Sequence, residues 1–350
     1  MNATLKEVAE RAGVHPGTAS RALNPQTQAL VSDATVRRVQ AAAKALSYRP
    51  NSMARGLKTN RTTMVGIVVP DLSNPLFPPI VRGAEEVLSR AGYTCLIADT
   101  DNDPRREAES FETLRGRHVD GLIVASAERD DAAVRAVADD GVPIVLINRR
   151  TDRVRVPAVM GDDWAGIEQS VRHLVGLGHR SIGHLSGPET LSTGVERARA
   201  FRHAVVELGA EDDPDLSEAC LTYSVEAGAR AARVLLDRAG DRLTAVVAGN
   251  DQIAVGLLDV LRERGLVCPR DLSIVGYNDM PFMDKLSPAL TTVHVPHEDI
   301  GREAAQILVR WLSGENGSPS ATTTLPVDLV VRASTAPPRA SLGGLGGAGR

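Results

Sequence analysis

Apolar residues near the N-terminus repeat with helical spacing. Positions i, i+3, i+4 and i+7 of the first stripe are Leu5, Val8, Ala9 and Ala12. Thr4 and Glu7 have capping-box spacing at the start of this stripe, and Gly13 can end the helix in the left-handed conformation. Pro16 then suits the first turn of a second helix. The pattern predicts two short helices around a tight turn, with an ordinary amphipathic hairpin as the alternative.

A third helical pattern follows the first two. Ser32 and Asp33 can start it, and its apolar stripe consists of Val36, Val39, Ala43 and Leu46. The small residues Ala19 and Ala22 allow close approach to the second helix, which leaves its polar positions facing outward. This arrangement predicts a helix-turn-helix whose second helix enters a DNA groove.

From Met64 onward, short apolar runs alternate with helical patterns. Strands are predicted at 64–69, 93–98, 121–124 and 143–147, and, after Asp162, at 182–185, 245–248 and 272–275. Helices are predicted around 80–91, 105–117, 166–176, 196–208, 225–238 and 252–265, with one more before Pro143. Continuous apolar strands separated by helices are typical of parallel sheets covered on both faces. The fold class is therefore α/β, an all-α head followed by two lobes of doubly wound parallel sheet.

Charge separates the head from the rest of the chain. Residues 1–63 contain ten Lys or Arg against three Asp or Glu, a net charge of +7. Because the whole chain carries −4, residues 64–350 carry −11. A basic head on an acidic body indicates an anionic partner for the head alone. A solvated charged face is the alternative interpretation, and the adjoining helix-turn-helix favours DNA.

Composition excludes several other classes. The aromatic content is only 3%, so the core must be aliphatic. No signal peptide or membrane-length apolar run is found, and the three scattered cysteines form no disulfide framework. We therefore expect a cytoplasmic protein. A Gly-rich tail at 336–350 is expected to be disordered.

The chain resembles the LacI/GalR family of transcriptional regulators over nearly its full length. The matching segments are the N-terminal run, 48–51, 70–75, 177–180, 249–251, 275–279 and 288–293. Each match is modest, but their order and spacing together are specific. The resemblance implies a homodimer on a palindromic operator of double-stranded DNA. It also implies a small-molecule effector between two lobes like those of periplasmic binding proteins, with no cofactor, metal or membrane partner.

The resemblance also implies domain boundaries. These are a DNA-binding domain at 1–48, a hinge helix and linker at 49–63, an effector-binding and dimerisation domain at 64–335, and the tail. Lobe 1 comprises 64–161 and 293–323, and lobe 2 comprises 162–290 and 324–335.

Residue by residue, the resemblance places DNA contacts in the second helix and the hinge. The helix contributes His15, Pro16, Gly17, Thr18, Ser20 and Arg21, and the hinge contributes Asn51, Ala54, Leu57 and Lys58. Pro16 and Gly17 lack side-chain donors, so base reading falls on Arg21 and on His15. A capping role is the alternative for His15. Leu57 matches the apolar wedge that enters the minor groove.

The resemblance likewise places the effector site. Its residues are Phe77, Asn148, Arg149, Asp162, Thr193, Arg197, Tyr223, Asn250 and Asn278. Relatives often carry Asp where Asn148 and Asn278 stand, so two arginines without those carboxylates predict a positive pocket and an acidic or phosphorylated ligand. Alternatively, Asp162 or Asp163 neutralises Arg149.

Catalysis finds little support in the sequence, and we expect no enzyme activity. Ser186 lies one place too late for a nucleophile elbow, and His294 and His297 lack the context of a zinc protease. A sugar-binding transport protein would share the two lobes but not the basic head. We therefore expect an effector-controlled repressor, with an activator of the same family as the alternative.

Overall fold

The computed structural model describes residues 3–24, 27–48, 61–315 and 321–339. The chain divides into two compact units, residues 1–62 and residues 63–350. Asn51, Ala54, Leu57 and Lys58, for which hinge contacts with DNA are expected, lie outside the described residues.

In the described part of the N-terminal unit, three α-helices pack together. They are α1 (Leu5–Ala12), α2 (Pro16–Leu23) and α3 (Asp33–Ala45). The predicted capping box at the start of α1 is confirmed, because the Thr4 side chain accepts from the Glu7 backbone and the Glu7 side chain accepts from the Thr4 backbone. Gly13 ends α1 with a φ of 62°. The core between the helices is aliphatic and centres on Val8, Ala19 and Val39, all fully buried.

Strands and helices alternate through the second unit. In chain order the elements are β1 (Met64–Val69), α4 (Phe77–Arg90), β2 (Thr94–Asp99), α5 (Pro104–Gly116), β3 (Gly121–Val124), α6 (Ala132–Asp139), β4 (Ile144–Ile147), β5 (Ala158–Gly161), α7 (Asp163–Gly176), β6 (Ile182–Ser186), α8 (Ser192–Glu207), β7 (Ser217–Ala219), α9 (Val225–Ala239), β8 (Ala245–Ala248), α10 (Asp251–Glu263), β9 (Ser273–Asn278), β10 (Thr291–His294), α11 (His297–Ser313), β11 (Thr322–Leu325) and β12 (Asp328–Val330). Within the described ranges, no helix has the length and apolar character needed to cross a membrane.

The strands form two six-stranded sheets, one in each lobe. The order in lobe 1 is β11-β5-β4-β3-β1-β2, and the order in lobe 2 is β12-β10-β9-β8-β6-β7. All pairings are parallel except that of β10 with β12. Strands β3, β4 and β8 are buried along their whole length, as expected for sheets that are covered by helices on both faces. The predicted fold class is confirmed.

The chain crosses between the lobes three times. The first crossing follows β5 near Asp162, and the other two lie about two residues later than the lobe boundaries expected at 293 and 323. β10 extends to His294 within lobe 2, and β11 extends to Leu325 within lobe 1. Both shifts have the same cause, since ladder pairing continues to the end of each strand before the chain leaves its sheet.

Part of the predicted disordered tail is anchored to lobe 2. The Ala336 carbonyl oxygen accepts from Ser273 Oγ at 3.0 Å and lies 2.8 Å from His179 Nε2. Arg339 pairs with Asp271 at 2.7 Å. The tail expectation is therefore wrong for 336–339, because polar side chains of lobe 2 hold this segment. Residues 340–350 lie outside the described range.

Helix α11 returns to lobe 1 and packs very closely on α4. A Cβ atom at Gly301 would lie 2.0 Å from the Ile80 carbonyl oxygen, and one at Gly83 would lie 1.9 Å from that of Glu298. These distances leave no room for a side chain at either position. The two glycines therefore allow α11 to pack directly against α4 in lobe 1.

Candidate DNA-reading helix and effector cleft

Helix α2 has one buried and one exposed face. Ala19 and Ala22 are at most 1% exposed and pack into the head, whereas His15, Pro16, Ser20 and Arg21 are exposed. Gly17 and Thr18 are partly exposed. The predicted DNA-facing residues of α2 thus share one accessible surface. Arg21 has the longest side chain on this surface, and its guanidinium is a hydrogen-bond donor.

His15 caps this helix. Its Nδ1 atom accepts from the Gly17 N–H at 3.1 Å, and its carbonyl oxygen accepts from the Thr18 and Ala19 amides. One ring nitrogen is therefore engaged in a helix cap, which is the second of the two roles expected for this residue. The other nitrogen, Nε2, lies on the exposed side chain.

The predicted effector residues converge at the carboxyl ends of the strands. Eight of the nine line one small cavity between the lobes, and they are Phe77, Asn148, Arg149, Thr193, Arg197, Tyr223, Asn250 and Asn278. Asn74 and Leu76 also line this inner cavity and were missed by sequence reasoning. Ligands of open α/β sheets bind at this edge because loops from several strands meet there.

Asp162 is the exception, and its neighbour Asp163 takes the buried position. The Asp162 side chain accepts from the Ala165 amide at 2.9 Å and thereby caps α7. The Asp163 carboxylate instead accepts from Arg197 Nε at 2.8 Å, and both of these side chains are at most 8% exposed. The sequence shows two adjacent aspartates at this position. Which of them faces inward depends on the residue at which α7 begins, and that residue could not be read from the sequence.

Arg197 is held on three sides. Besides Asp163, its guanidinium donates to the Gly249 carbonyl oxygen at 2.7 Å and lies 3.8 Å from the centroid of the Tyr277 ring. Burial by itself would lower the pKa of Arg197, but the Asp163 carboxylate, together with Tyr223 and Tyr277, outweighs burial and raises it. Arg197 is thus a charged side chain that is held in place in the wall of the cleft, and the Asp163 carboxylate balances its charge.

Among the residues that the structure describes, no carboxylate lies at hydrogen-bond distance from Arg149. Arg149 donates to the Ser126 carbonyl oxygen at 3.2 Å and is 6% exposed. Its Nε atom has no hydrogen-bond partner among the described residues. The expected alternative, neutralisation by Asp162 or Asp163, is therefore wrong, since the first caps a helix and the second binds Arg197.

A buried acidic residue, Glu107, lies near Arg149. Its carboxylate accepts from Ser126 Oγ, and it is only 4% exposed. Burial and the nearby Asp131 carboxylate raise the pKa of Glu107, while Arg149 opposes the shift. Burial also lowers the pKa of Arg149. A buried guanidinium that lacks one of its hydrogen-bond partners gains from a polar ligand that supplies the missing hydrogen bond.

A second and larger cavity adjoins the inner one. This outer cavity measures about 540 Å³ and shares Asn74, Phe77, Arg149 and Tyr223 with the inner cavity. The acidic residues in its wall are Asp71, Asp101, Asp103, Glu107, Glu128 and Glu226, against Arg149 as the sole Lys or Arg among the described residues that line it. The expected positive charge is therefore not found in the outer cavity, where acidic side chains outnumber the one arginine even though Asp101 pairs with Arg106 and Asp103 with Arg105. The inner cavity contains Arg149 and the already paired Arg197.

Three asparagines shape the inner cavity. Asn148 and Asn278 have φ angles of 62° and 111°, a region that asparagine tolerates better than most residues. Asn250 caps α10 through its Oδ1 atom, which accepts from the Ile253 amide at 2.8 Å. The Oδ1 atom of Asn278 is buried without a hydrogen-bond partner in the described part of the chain. The backbone conformation therefore favours asparagine at 148 and 278, and helix capping favours it at 250. Composition alone did not indicate either role.

Family profiles match both units. The profile described as bacterial regulatory proteins, lacI family, matches residues 4–51, and that of the periplasmic binding protein-like domain matches residues 171–335. The HTH-type transcriptional regulator DegA of Bacillus subtilis (strain 168) is 34% identical over 96% of this chain and 99% of its own length. The chain belongs to the lacI family of bacterial transcriptional regulators.

Solved structures of lacI-family proteins agree with this assignment. A complex of the transcriptional regulator CelR with cellobiose is 35% identical, with a TM-score of 0.72 over 95% of this chain and 99% of that one. The lac repressor dimer bound to operator and the anti-inducer ONPF is 26% identical, with a TM-score of 0.83 over 96% of this chain and 100% of that one. These similar proteins are transcriptional regulators rather than enzymes. The chain is accordingly a DNA-binding transcriptional regulator with a periplasmic-binding-protein-like domain.

Proposed function

We propose that this protein is a cytoplasmic repressor that binds a palindromic operator as a homodimer and responds to a neutral polyhydroxyl effector in the interlobe cleft. The observation that carries the effector assignment is the set of carboxylates in the wall of the outer cavity, which disfavours an anion. The buried Nε atom of Arg149, which lacks a partner among the described residues, offers a hydroxyl oxygen a hydrogen bond. The CelR complex, in which the ligand is cellobiose, supports the same class.

The DNA half of the proposal rests on the head. Residues 1–63 carry a net charge of +7, and α2 presents Ser20 and Arg21 on its exposed face. Phosphate contacts from such a head give salt-dependent affinity, while base contacts from α2 give sequence preference. The lac repressor, which is similar over nearly its whole length, binds its operator as a dimer and supports both the assembly and the repressor role.

The effector half rests on charge and geometry. Carboxylates accept hydrogen bonds from hydroxyl groups but repel anions, so an acidic cleft with one partly unsatisfied arginine favours a neutral polyol. Residues of both lobes line the cleft, so a bound ligand would bridge them. A ligand that binds one lobe arrangement better than another shifts the equilibrium between them and thereby the affinity for the operator.

Selection of bound sites from random duplexes is the direct test. We expect a palindromic consensus, and a reporter placed behind that sequence distinguishes repression from activation. Release of the selected duplex is then measured with neutral sugars, with gluconate and with glucose 6-phosphate. Release by the anions alone would contradict the effector class, and selection of no common sequence would contradict operator binding.

A further inference from the structure

The two cavities of the cleft differ greatly in size. The inner cavity, which contains most of the predicted effector residues, encloses only about 20 Å³, whereas the outer cavity encloses about 540 Å³. Roughly 10–15 Å³ is needed to hold one water molecule, so the inner cavity has room for little more than a water. Pockets that bind small molecules usually measure about 300–1,000 Å³, and the outer cavity falls within that range, so most of the ligand's volume is placed there.

The outer cavity is continuous with the inner one. Phe77, Arg149 and Tyr223 belong to the walls of both, so a group that reaches Arg149 Nε also extends outward. Tyr223 is fixed at this junction, because its hydroxyl donates to Thr193 Oγ1 at 3.1 Å and a Cβ atom at Gly187 would lie 2.1 Å from that hydroxyl. The junction therefore presents a fixed ring beside an incompletely satisfied guanidinium.

Beyond the junction, both lobes contribute hydrogen-bonding and apolar groups. Lobe 1 contributes the buried Glu107, and lobe 2 contributes the loop and first turn of α9 with Thr222 and Glu226. Leu221 of the same loop is 82% exposed although it lines the cavity. An exposed apolar side chain among hydroxyl and carboxylate groups suits a sugar ring, whose faces are apolar and whose rim is hydroxylated.

We propose that the effector has two units and that its second, uncharged polyhydroxyl unit binds an outer subsite formed by Glu107, Leu221, Thr222 and Glu226. This inference rests on the proposed function and specifies the ligand's length and charge. The first unit lies at the junction and hydrogen-bonds to Arg149. The second unit packs on Leu221 and donates to Glu226, which repels any anionic group at that position.

Calorimetry on the full chain tests the length requirement. The probes are glucose and the neutral disaccharides cellobiose and maltose. We expect at least one disaccharide to bind tenfold or more tightly than glucose. Leu221→Ser should weaken that disaccharide 3- to 10-fold and leave glucose unchanged, and the matched control Leu266→Ser, at an exposed leucine of lobe 2 that does not line the cleft, should change neither. Equal binding of glucose, or equal losses on both probes, would overturn the subsite.

The charge requirement is tested with cellobionate and maltobionate, in which the reducing-end unit, the one assigned to the outer subsite, carries a carboxylate. They should bind at least tenfold more weakly than their neutral parents, and Glu226→Gln should reduce this discrimination. Unchanged discrimination would overturn the role of Glu226. If operator binding persists and no saccharide of either length binds, the effector class fails together with the subsite. If glucose binds and no disaccharide binds better, the subsite alone fails.

Discussion

The Nε atom of Arg197 donates to Oδ1 of Asp163 at 2.8 Å, and neither side chain is more than 8% exposed. Asp163 begins α7, and Arg197 lies within α8, so the pair joins two helices at the wall of the cleft. Its two charges compensate each other in a site from which water is largely excluded. This pairing explains why the cleft does not present two free arginines to a ligand.

Breaking this pair should destabilise lobe 2. Arg197→Ala leaves the Asp163 carboxylate buried without a counter-ion, at a cost of about 3–5 kcal/mol in the free energy of unfolding. Urea unfolding followed by tryptophan fluorescence measures it, since both tryptophans, Trp164 and Trp311, lie in the two-lobed unit.

The matched control for that experiment is Arg233→Ala. Arg233 pairs with Glu263 at 2.8 Å, but both side chains are about half exposed. Exposed pairs contribute about 0–1 kcal/mol. If Arg197→Ala costs no more than the control, the buried pair does not stabilise the fold.

A second prediction concerns the contact between α4 and α11. Gly301→Ala places a Cβ atom 2.0 Å from the Ile80 carbonyl oxygen, so the two helices must move apart. Overpacking of this kind costs about 1–3 kcal/mol or more, and the same unfolding assay detects it. Gly116→Ala, at the end of α5 with no atom within 4 Å of the new Cβ, should be neutral or stabilising by up to about 1 kcal/mol. Equal stability of the two variants would contradict the close approach.

Apolar runs along the sequence predicted some of the strands and missed others. Continuous apolar runs predicted β1, β3 and β8 with the observed bounds. Strands β7 and β12 have three residues each, too few for a period to emerge, and they form because neighbouring strands offer free ladder positions. The hydrophobic pattern of the sequence therefore predicts the layers of this fold. The short strands at the sheet edges depend instead on pairing with neighbouring strands in the folded chain.

The site shows a different limit of sequence reasoning. Its residues were identified through the family resemblance, but the net charge of the cleft could not be predicted from the residue types alone. Arg197 and Arg149 look equivalent in sequence, and only packing shows that Asp163 reaches one of them and not the other. The acidic outer wall was also missed, because Glu107 and Glu226 come from helices that are distant in sequence.

Stability should depend on pH through Asp251. This fully buried carboxyl accepts from the Met280 amide at 2.7 Å, and burial raises its pKa from 3.8 to about 7. The folded state then binds the proton more tightly than the unfolded state. Protonated Asp251 therefore contributes fully to the free energy of unfolding below pH 4. This contribution, a few kcal/mol at most, is lost as the pH rises to about 7.

Measurement of unfolding free energy between pH 4 and pH 7.5 tests this sign. In Asp251→Asn the free energy of unfolding should fall less steeply as the pH rises. The remaining fall is due to Glu107, whose pKa is also raised. Asp237→Asn, at an exposed carboxylate paired with Arg264, is the matched control and should keep the parent slope. A parent protein that gains stability from pH 4 to pH 7 more steeply than Asp251→Asn would contradict the prediction.

Arg21 should provide sequence preference. Arg21→Ala is expected to weaken binding to the selected operator by about 1–3 kcal/mol, with a smaller loss on a random duplex, if the guanidinium reads a base edge. Arg38→Ala removes the same charge from an exposed position of α3 and should weaken both duplexes alike. Equal losses from Arg21→Ala on the two duplexes would show that Arg21 contacts only phosphate.

The cap at His15 can be separated from base reading by two substitutions. Asparagine is a good N-cap residue, so His15→Asn should keep the first turn of α2 intact, whereas His15→Ala should lose about 1 kcal/mol of helix stability. Because Nδ1 already accepts from Gly17, we expect His15→Asn to bind the operator within twofold of the parent and His15→Ala to bind several-fold more weakly. Hydrogen exchange of the amides in 16–19 measures the helix and a filter-binding titration measures the affinity. If His15→Asn protects these amides normally yet loses as much operator affinity as His15→Ala, the imidazole reads the DNA and the cap is secondary.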